Sequence, residues 1–287
     1  LKKFSIKEGK KGEYYTPKSV VNLMTELIEP YEGVVYDPCC GTGGMFVQSI
    51  KFIESHKGNR KKISIYGQEQ TSTTHKLAKM NLALRGISAN LAPKARDTFS
   101  QDQHKELKAD FIIANPPFNL DDWRGENELI DDDRWKGYSV PPVSNANYAW
   151  ILHIISKLKK HGHAAFLLAN GALSAGAEEK QIREKLIEND LVETIITLPR
   201  DMFYSTDISV TLWIINKDKK NNLKKKDIRS TENQILFFDL RRRGIEIEKY
   251  IELNSDERSK VKQIYTNWKS NNFQKTYKDI GEYCYSA

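Results

Sequence analysis

The sequence is poor in cysteine. Three cysteines occur among 287 residues, and two of them, Cys39 and Cys40, are adjacent. They can build neither a disulfide framework nor a four-cysteine zinc site. Such usage suits a reducing compartment, so a cytoplasmic protein is expected. Long apolar runs are lacking as well. None reaches the length of a membrane span and no secretory leader is legible, so no membrane role is expected. Metal-ligand clusters are also missing. His161-Gly162-His163 places two histidines around a glycine, but no further ligand is placed to converge on them. They read as a turn with helix-end cations, and no metal is expected. There is no Gly-x-Gly-x-x-Gly fingerprint and no phosphate loop ending in Lys-Ser/Thr, which disfavours nicotinamide and ATP sites. Internal repeats are absent. What remains is a basic chain with net charge +7, 39% hydrophobic and 29% charged residues. That apolar content is on the low side yet enough for a packed sheet. The positive balance fits a polyanionic partner, and fits equally a chain simply rich in lysine.

The most informative residues are Asn115-Pro116-Pro117-Phe118, which follow the apolar run Phe111-Ile112-Ile113-Ala114. Prolines carry no backbone N–H and fix φ, so the chain leaves the expected strand rigid and extended. The Pro116 carbonyl then has no local helical or sheet partner and can point outward, beside the Asn115 side-chain oxygen. Two acceptors held close together suit the two hydrogens of an exocyclic amine. Phe118 offers a flat face for a ring. The set fits a planar amine such as adenine N6 or cytosine N4. Alone, Asn-Pro-Pro is more often a turn than a site. A second motif upstream shifts that balance.

Val34-Val35-Tyr36 runs into Asp37-Pro38-Cys39-Cys40-Gly41-Thr42-Gly43-Gly44, and an apolar pattern of helical period follows from Met45. Strand, glycine-rich turn and helix make the ligand crevice of an open α/β sheet. The glycines allow backbone to approach a ligand closely. A second strand, Ile63 to Gly67, leads to Gln68-Glu69. A carboxylate there can accept both hydroxyls of a ribose. The other reading of Glu69 is a surface carboxylate near a helix N-terminus.

Taken in order, Glu13-Tyr14-Tyr15-Thr16-Pro17, Asp37 to Gly43, and Asn115 to Phe118 resemble the amino-methylating DNA methyltransferases. More narrowly, the chain resembles the modification (M) subunit of type I restriction–modification systems, an N6-adenine DNA methyltransferase family. The resemblance covers roughly residues 10 to 287. It implies S-adenosylmethionine as cofactor, double-stranded DNA as substrate and the N6 amino group of a flipped adenine as acceptor. Carried over residue by residue, Glu13, Tyr14, Tyr15, Thr16, Pro17 and Lys18 close over the methionine end of the cofactor. Asp37, Gly41, Thr42, Gly43 and Gly44 hold the methionine moiety and the ribose edge. Glu69 takes the ribose hydroxyls, and Asp97 accepts from the cofactor's adenine amino group. Asn115, Pro116, Pro117 and Phe118 form the catalytic segment. Phe203, in Met202-Phe203-Tyr204, sits where the family carries a second aromatic against the base; a core residue at the start of a strand is the other reading. Cys39-Cys40 departs from the smaller residues often found in relatives and is expected to alter packing only. The resemblance also implies a separate specificity (S) subunit that reads the target, a second M subunit and a restriction (R) subunit. Relatives carry a helical domain before this point and continue beyond it, so the chain is expected to be the catalytic core of a longer protein.

Helical spacing predicts helices over 19–29, 45–56, 71–85, 147–159, 176–189 and 255–270, with Leu77, Met80 and Leu84 on one face of the third. Strands are expected over 63–67, 109–114, 164–169, 191–198, 209–216 and 234–240, the last of them. Residues 119–145 are polar, acidic and irregular, with Trp123, Trp135 and Tyr138. They read either as a mobile loop that orders with DNA or a partner, or as plain disorder. The lysine-rich loop 217–230 reads as a surface insertion or a phosphate contact, and Arg241-Arg242-Arg243 as a site for phosphate or a partner acid. Alternating strands and helices imply an α/β fold. The expected form is a mostly parallel, doubly wound sheet of the S-adenosylmethionine-dependent methyltransferase fold with an antiparallel edge pair. The chain divides into an N-terminal arm and cofactor-closing segment (1–18), a catalytic domain (19–254) and a C-terminal helical extension (255–287).

Three other functions stay open at this stage. N4-cytosine methylation would use the same two acceptors; only the whole-chain resemblance favours adenine. Methylation of a protein glutamine amide can use a similar tetrapeptide, but the cofactor segment lying before the glycine motif argues against it. A catalytically silent assembly subunit is the third, and intact Asp37, Glu69 and Asn115 argue against it.

Overall fold

A computed structural model describes residues 16–203, 207–220 and 227–287. Glu13, Tyr14 and Tyr15 of the expected cofactor-closing segment lie outside the described residues. Pro17 precedes the first helix, α1 (Lys18–Ile28), and its carbonyl accepts from the Val20 and Val21 N–H groups. Proline suits a helix start because its missing N–H has no partner there anyway. The helix buries Val20, Leu23, Met24 and Leu27. Then β1 (Gly33–Asp37), α2 (Gly44–Ser55), β2 (Ile63–Gly67), α3 (Ser72–Ala83), β3 (Ala89–Asn90) and β4 (Ala109–Ala114) alternate as the sequence pattern requires. The second half holds α4 (Asn147–Lys157), β5 (Leu158–Ala169), α5 (Ala177–Glu188), β6 (Val192–Thr197), β7 (Val210–Asn216) and β8 (Leu236–Asp239). A hairpin, β9 (Ile245–Ile247) with β10 (Tyr250–Glu252), leads to α6 (Ser255–Lys269), the short α7 (Phe273–Thr276) and β11 (Cys284–Ser286).

Among the described residues, nine strands form the main sheet in the order β11-β8-β6-β7-β5-β4-β1-β2-β3. Most neighbours are parallel. The antiparallel members are β7, inserted between β5 and β6, and β11, which pairs with β8 at the edge. The chain moves outward from β1 to β3 and then returns to β4 on the other side of β1. That reversal is the switch point at which open α/β sheets hold ligands. The register Tyr36↔Ile112 brings the ends of β1 and β4 side by side, so Asp37 and Asn115 emerge at the same edge. Core side chains cover both faces: α1 and α6 pack on one, α4 and α5 on the other. Strands covered on both faces read as continuous apolar runs, as residues 164–169 of β5 and most of β7 do.

Four features differ from the sequence expectations. His161-Gly162-His163 is part of β5, not a turn. That strand begins directly after α4, and a bulge separates the pairs Ala109↔Leu158 and Phe111↔His163. Lys157 fixes the helix end by donating to the His104 and Lys105 carbonyls at 2.7 and 2.9 Å, so strand pairing captures the backbone at once. Second, α3 does not bury its Met80 and Leu84 face, which is 60% and 81% exposed. It turns inward Thr74, His75, Ala78, Asn81 and Leu82, because His75 bonds the Leu91 carbonyl at 2.9 Å and Asn81 the Thr42 carbonyl at 2.7 Å. Third, the strand at 234–240 is not the last: β11 completes the sheet from within the segment expected as a helical extension. Fourth, loop 119–145 is packed. Trp123 and Trp135 are buried, their indole N–H groups bonding the Pro142 and Leu129 carbonyls at 2.8 and 2.5 Å. The Phe99 ring lies 4.6 Å from Trp123 and 4.3 Å from Trp150 on α4. Among the described residues, no helix is long and apolar enough to cross a membrane, and no three His, Cys, Asp or Glu side chains converge as a metal site.

Candidate active site

The carboxyl ends of β1 and β4 and the start of α1 surround a cleft of about 390 Å³. Thr16, Lys18, Asp37, Gly41, Thr42 and Asn115 all line it, from three separate stretches of sequence. The turn after β1 is built on left-handed backbone, with φ of 53° at Gly41 and 79° at Gly43. A Cβ at Gly43 would meet the Leu82 side chain at 3.3 Å, whereas one at Gly41 or Gly44 would enter open space. The turn is tied to the end of β2. Gly41 N–H donates to Glu69 Oε2 at 3.0 Å, Cys40 N–H to the Gln68 carbonyl at 2.9 Å, and Thr71 N–H to Glu69 Oε1 at 2.7 Å. The carboxylate of Glu69 is therefore fixed beside the cleft by two backbone donors.

Asp37 is buried and accepts from the Cys39 N–H at 3.0 Å. Burial pushes its carboxyl up to about 7; the Cys39 N–H and thiol pull the other way, and the nearby Glu69 charge adds to the rise. Asp97 caps its own turn: Oδ1 accepts from Phe99 N–H at 3.0 Å, Ser100 N–H at 2.7 Å and Ser100 Oγ at 2.9 Å.

Asn115 is held across the cleft. Its Nδ2 donates to Thr16 Oγ1 at 2.9 Å, while its Oδ1 is buried and, among the described residues, has no hydrogen-bond partner. An orphaned buried acceptor costs about 1–3 kcal/mol, so native structures rarely keep one without use. Beyond it, Phe118 and Phe203 meet edge to face, centroids 5.9 Å apart and planes at 83°. Both are buried, so Phe203 backs Phe118 here and takes part in the core.

All 287 residues of the chain match the family described as N-6 DNA Methylase. The chain belongs to that family. It is similar to the methylase subunit of the type I restriction enzyme HindI from Haemophilus influenzae, 41% identical over 290 residues, covering 100% of this chain and 62% of that protein. It is also similar to the MjaIX methylase subunit of Methanocaldococcus jannaschii, 38% identical over 256 residues, covering 88% and 46%. A crystal structure of the methyltransferase subunit of a type I restriction–modification system from Streptococcus thermophilus superposes with a TM-score of 0.82 at 25% identity, covering 100% of this chain and 58% of that one. The chain thus spans less than two thirds of the length of these relatives.

One supporting residue escaped the sequence reading. Gln68, fully buried, donates from Nε2 to the Arg96, Asp97 and Gln101 carbonyls at 3.2, 3.2 and 2.9 Å, and accepts from Gln103 N–H at 3.0 Å. It anchors the Asp97 turn to the end of β2. Its place beside Glu69 was the only signal, because its partners lie some thirty residues on.

Proposed function

We propose that this chain is the catalytic part of a type I modification subunit. It transfers a methyl group from S-adenosylmethionine to the N6 amino group of an adenine flipped out of double-stranded DNA. The observation that carries the reading is the buried Asn115 Oδ1, which has no partner among the described residues and belongs to a cleft also lined by Asp37, Gly41 and Thr42. The relatives are named as methylase subunits of type I restriction enzymes. By analogy a specificity subunit selects the target, and a second M subunit and a restriction subunit complete a cytoplasmic assembly.

The residues fit this cofactor. Asp37 and the Gly41–Gly44 turn would hold the methionine end with Thr16, Pro17 and Lys18. Glu69 would accept from the ribose hydroxyls, and Asp97 from the adenine amino group. When bound, S-adenosylmethionine supplies an electrophilic methyl group on a sulfonium. Reaching the target requires extruding it from the duplex at a cost of a few kcal/mol, and stacking on Phe118 returns roughly 1–3 kcal/mol. An aromatic amine is a weak nucleophile because its lone pair is delocalised. Asn115 Oδ1 and the Pro116 carbonyl each accept one N–H, favour a pyramidal nitrogen and stabilise the positive charge that develops on it. Holding the amine in place contributes much of the rate. No side chain need act as general base, since the methylated nitrogen is acidic and loses its proton afterwards.

Two results are expected of the cofactor site. Glu69→Ala should weaken S-adenosylhomocysteine binding by about tenfold or more in calorimetry; unchanged affinity would refute the ribose role. Asp37 attracts a cation only as carboxylate, so affinity for the cationic cofactor should rise as pH passes upward through about 7, with proton release on binding. An Asp37→Asn variant should show neither effect. The sign also holds for stability. The unfolded carboxyl ionises near 3.8 and the folded one near 7, so Asp37 progressively destabilises the ligand-free fold across that window.

The whole reading is tested by tritiated methyl transfer to DNA using the full-length protein with its specificity subunit, followed by mass spectrometry of the nucleosides. N6-methyladenine supports it. N4-methylcytosine would keep the mechanism and change the substrate, and label in protein or nowhere would sink it.

A further inference from the structure

The carbonyls of the Asp97 turn are held from two sides. Gln68 takes those of Arg96, Asp97 and Gln101 from the β2 side. Arg134 takes two of the three between: its Nη1 donates to the Thr98 carbonyl at 3.2 Å and its Nη2 to the Phe99 carbonyl at 2.7 Å. Arg134 belongs to the packed loop that follows Phe118, and its side chain is only 10% exposed. Its other bonds fix it in turn. Nε and Nη2 donate to Asp132 Oδ1 and Oδ2 at 2.7 and 2.6 Å, and Nη1 to His153 Nδ1 at 3.3 Å. The guanidinium also lies 5.0 Å from the Trp135 ring centroid and 5.8 Å from that of Phe99. His153 is buried on α4, and burial, then the Arg134 charge, pushes its pKa down to about 3. A neutral ring can accept from Arg134 at Nδ1.

The same loop is closed at its base. Asn119 N–H donates to Asn147 Oδ1 at 3.1 Å, Asn147 Nδ2 to Asn119 Oδ1 at 2.9 Å, and Ala146 N–H to the Leu120 carbonyl at 2.8 Å. One rigid loop therefore starts at the amine-accepting tetrapeptide and grips the turn that carries Asp97. With Oδ1 of Asp97 engaged by its own turn, the direction of the carboxylate depends on how that backbone is held.

We propose that Arg134 is a positioning residue for cofactor recognition: it fixes the Asp97–Ser100 turn so that the Asp97 carboxylate meets the adenine amino group of the cofactor. Lysine cannot replace the planar fork that spans two carbonyls and a carboxylate. The inference rests on the cofactor reading above and on the adenine role of Asp97.

The test compares two ligands by calorimetry on the full-length subunit: S-adenosylhomocysteine, and its inosine analogue, in which a carbonyl replaces the 6-amino group. Wild type should prefer the adenine form by about tenfold or more, because the analogue sets an acceptor against an acceptor. Arg134→Lys should lose about tenfold in affinity for S-adenosylhomocysteine while binding the analogue as before, so that the preference collapses. Asp132→Asn should move the ratio in the same direction, and it decides the matter if Arg134→Lys does not fold. A residue that merely staples the fold would lower both affinities together and leave their ratio intact; that result overturns the proposal. If wild type binds both ligands equally, the adenine role of Asp97 falls and the proposal with it. Absence of binding by wild type would instead bring down the cofactor reading itself.

Discussion

Replacing Asn115 by alanine should reduce methyl transfer by about 10²–10³-fold while cofactor affinity stays near wild type. The structure separates the two effects. Asn115 lines the cleft, but the residues assigned to the cofactor's ribose and adenine are held by other partners, Glu69 by Gly41 and Thr71, and Asp97 by its own turn. The amide oxygen of Asn115, unlike its nitrogen, has no hydrogen-bond partner among the described residues. In the proposed mechanism its removal takes away the acceptor for the amine nitrogen as that becomes positive, so the loss should fall on kcat and spare S-adenosylhomocysteine binding. Stability gives an independent check. Deleting a buried acceptor that has no partner removes a desolvation cost, so the thermal midpoint should hold or rise slightly, although the Thr16 hydroxyl loses a bond. Loss of binding and activity together, with a lower midpoint, would make Asn115 a structural residue.

Lys269→Met should cost about 3–5 kcal/mol of unfolding free energy in urea titrations, the largest stability effect expected here. Glu193 on β6 is fully buried. Its Oε1 accepts from Lys269 Nζ and Asn216 Nδ2, both at 2.8 Å, and its Oε2 accepts from the Tyr265 hydroxyl. The Lys269 charge, the His163 charge and the bonds from Lys269 and Tyr265 outweigh burial and hold its carboxyl down at about 2. Without the ammonium, the carboxylate is stranded and takes up a proton. The pH dependence follows. A carboxyl that ionises near 2 when folded and near 4.5 when unfolded stabilises the fold fully above about 4.5, and that contribution drains away as pH falls toward 2. Lys269→Met should therefore flatten acid unfolding in this window. Glu193→Gln combined with Lys269→Met should cost clearly less than the sum of the single changes; simple additivity would show that the pair is not coupled.

This network also explains why the C-terminal part resisted reading. The period of Val261, Ile264, Tyr265 and Trp268 marks a helix that packs, but not what it packs on. The partner is a carboxylate 76 residues earlier in the chain. The return of β11 to the sheet is similar. Cys284-Tyr285-Ser286 is too short to show a strand period, and pairing with β8 alone makes it one. The loop 119–145 misled for a related reason. Its length and its polar, irregular composition suggested a mobile or disordered segment, yet Asp132 pairs with Arg134, and Trp123 and Trp135 bond carbonyls of the loop itself.

The sequence by itself determined what rests on neighbouring residues. Proline fixes the backbone of Asn115-Pro116-Pro117-Phe118, and glycine permits the left-handed turn after Asp37. The alternation of apolar runs gave the mixed sheet, and the order of the motifs gave the family. Tertiary structure decided what rests on contacts between distant residues. It placed the Asn115 amide on Thr16, 99 residues away, and set Phe203 edge-on behind Phe118. It chose the polar face of α3 as the buried one, and it secured the Asp97 turn with Gln68 and Arg134. Hydrogen bonds of this kind have no period and no fixed spacing, so only the folded backbone brings their partners within reach.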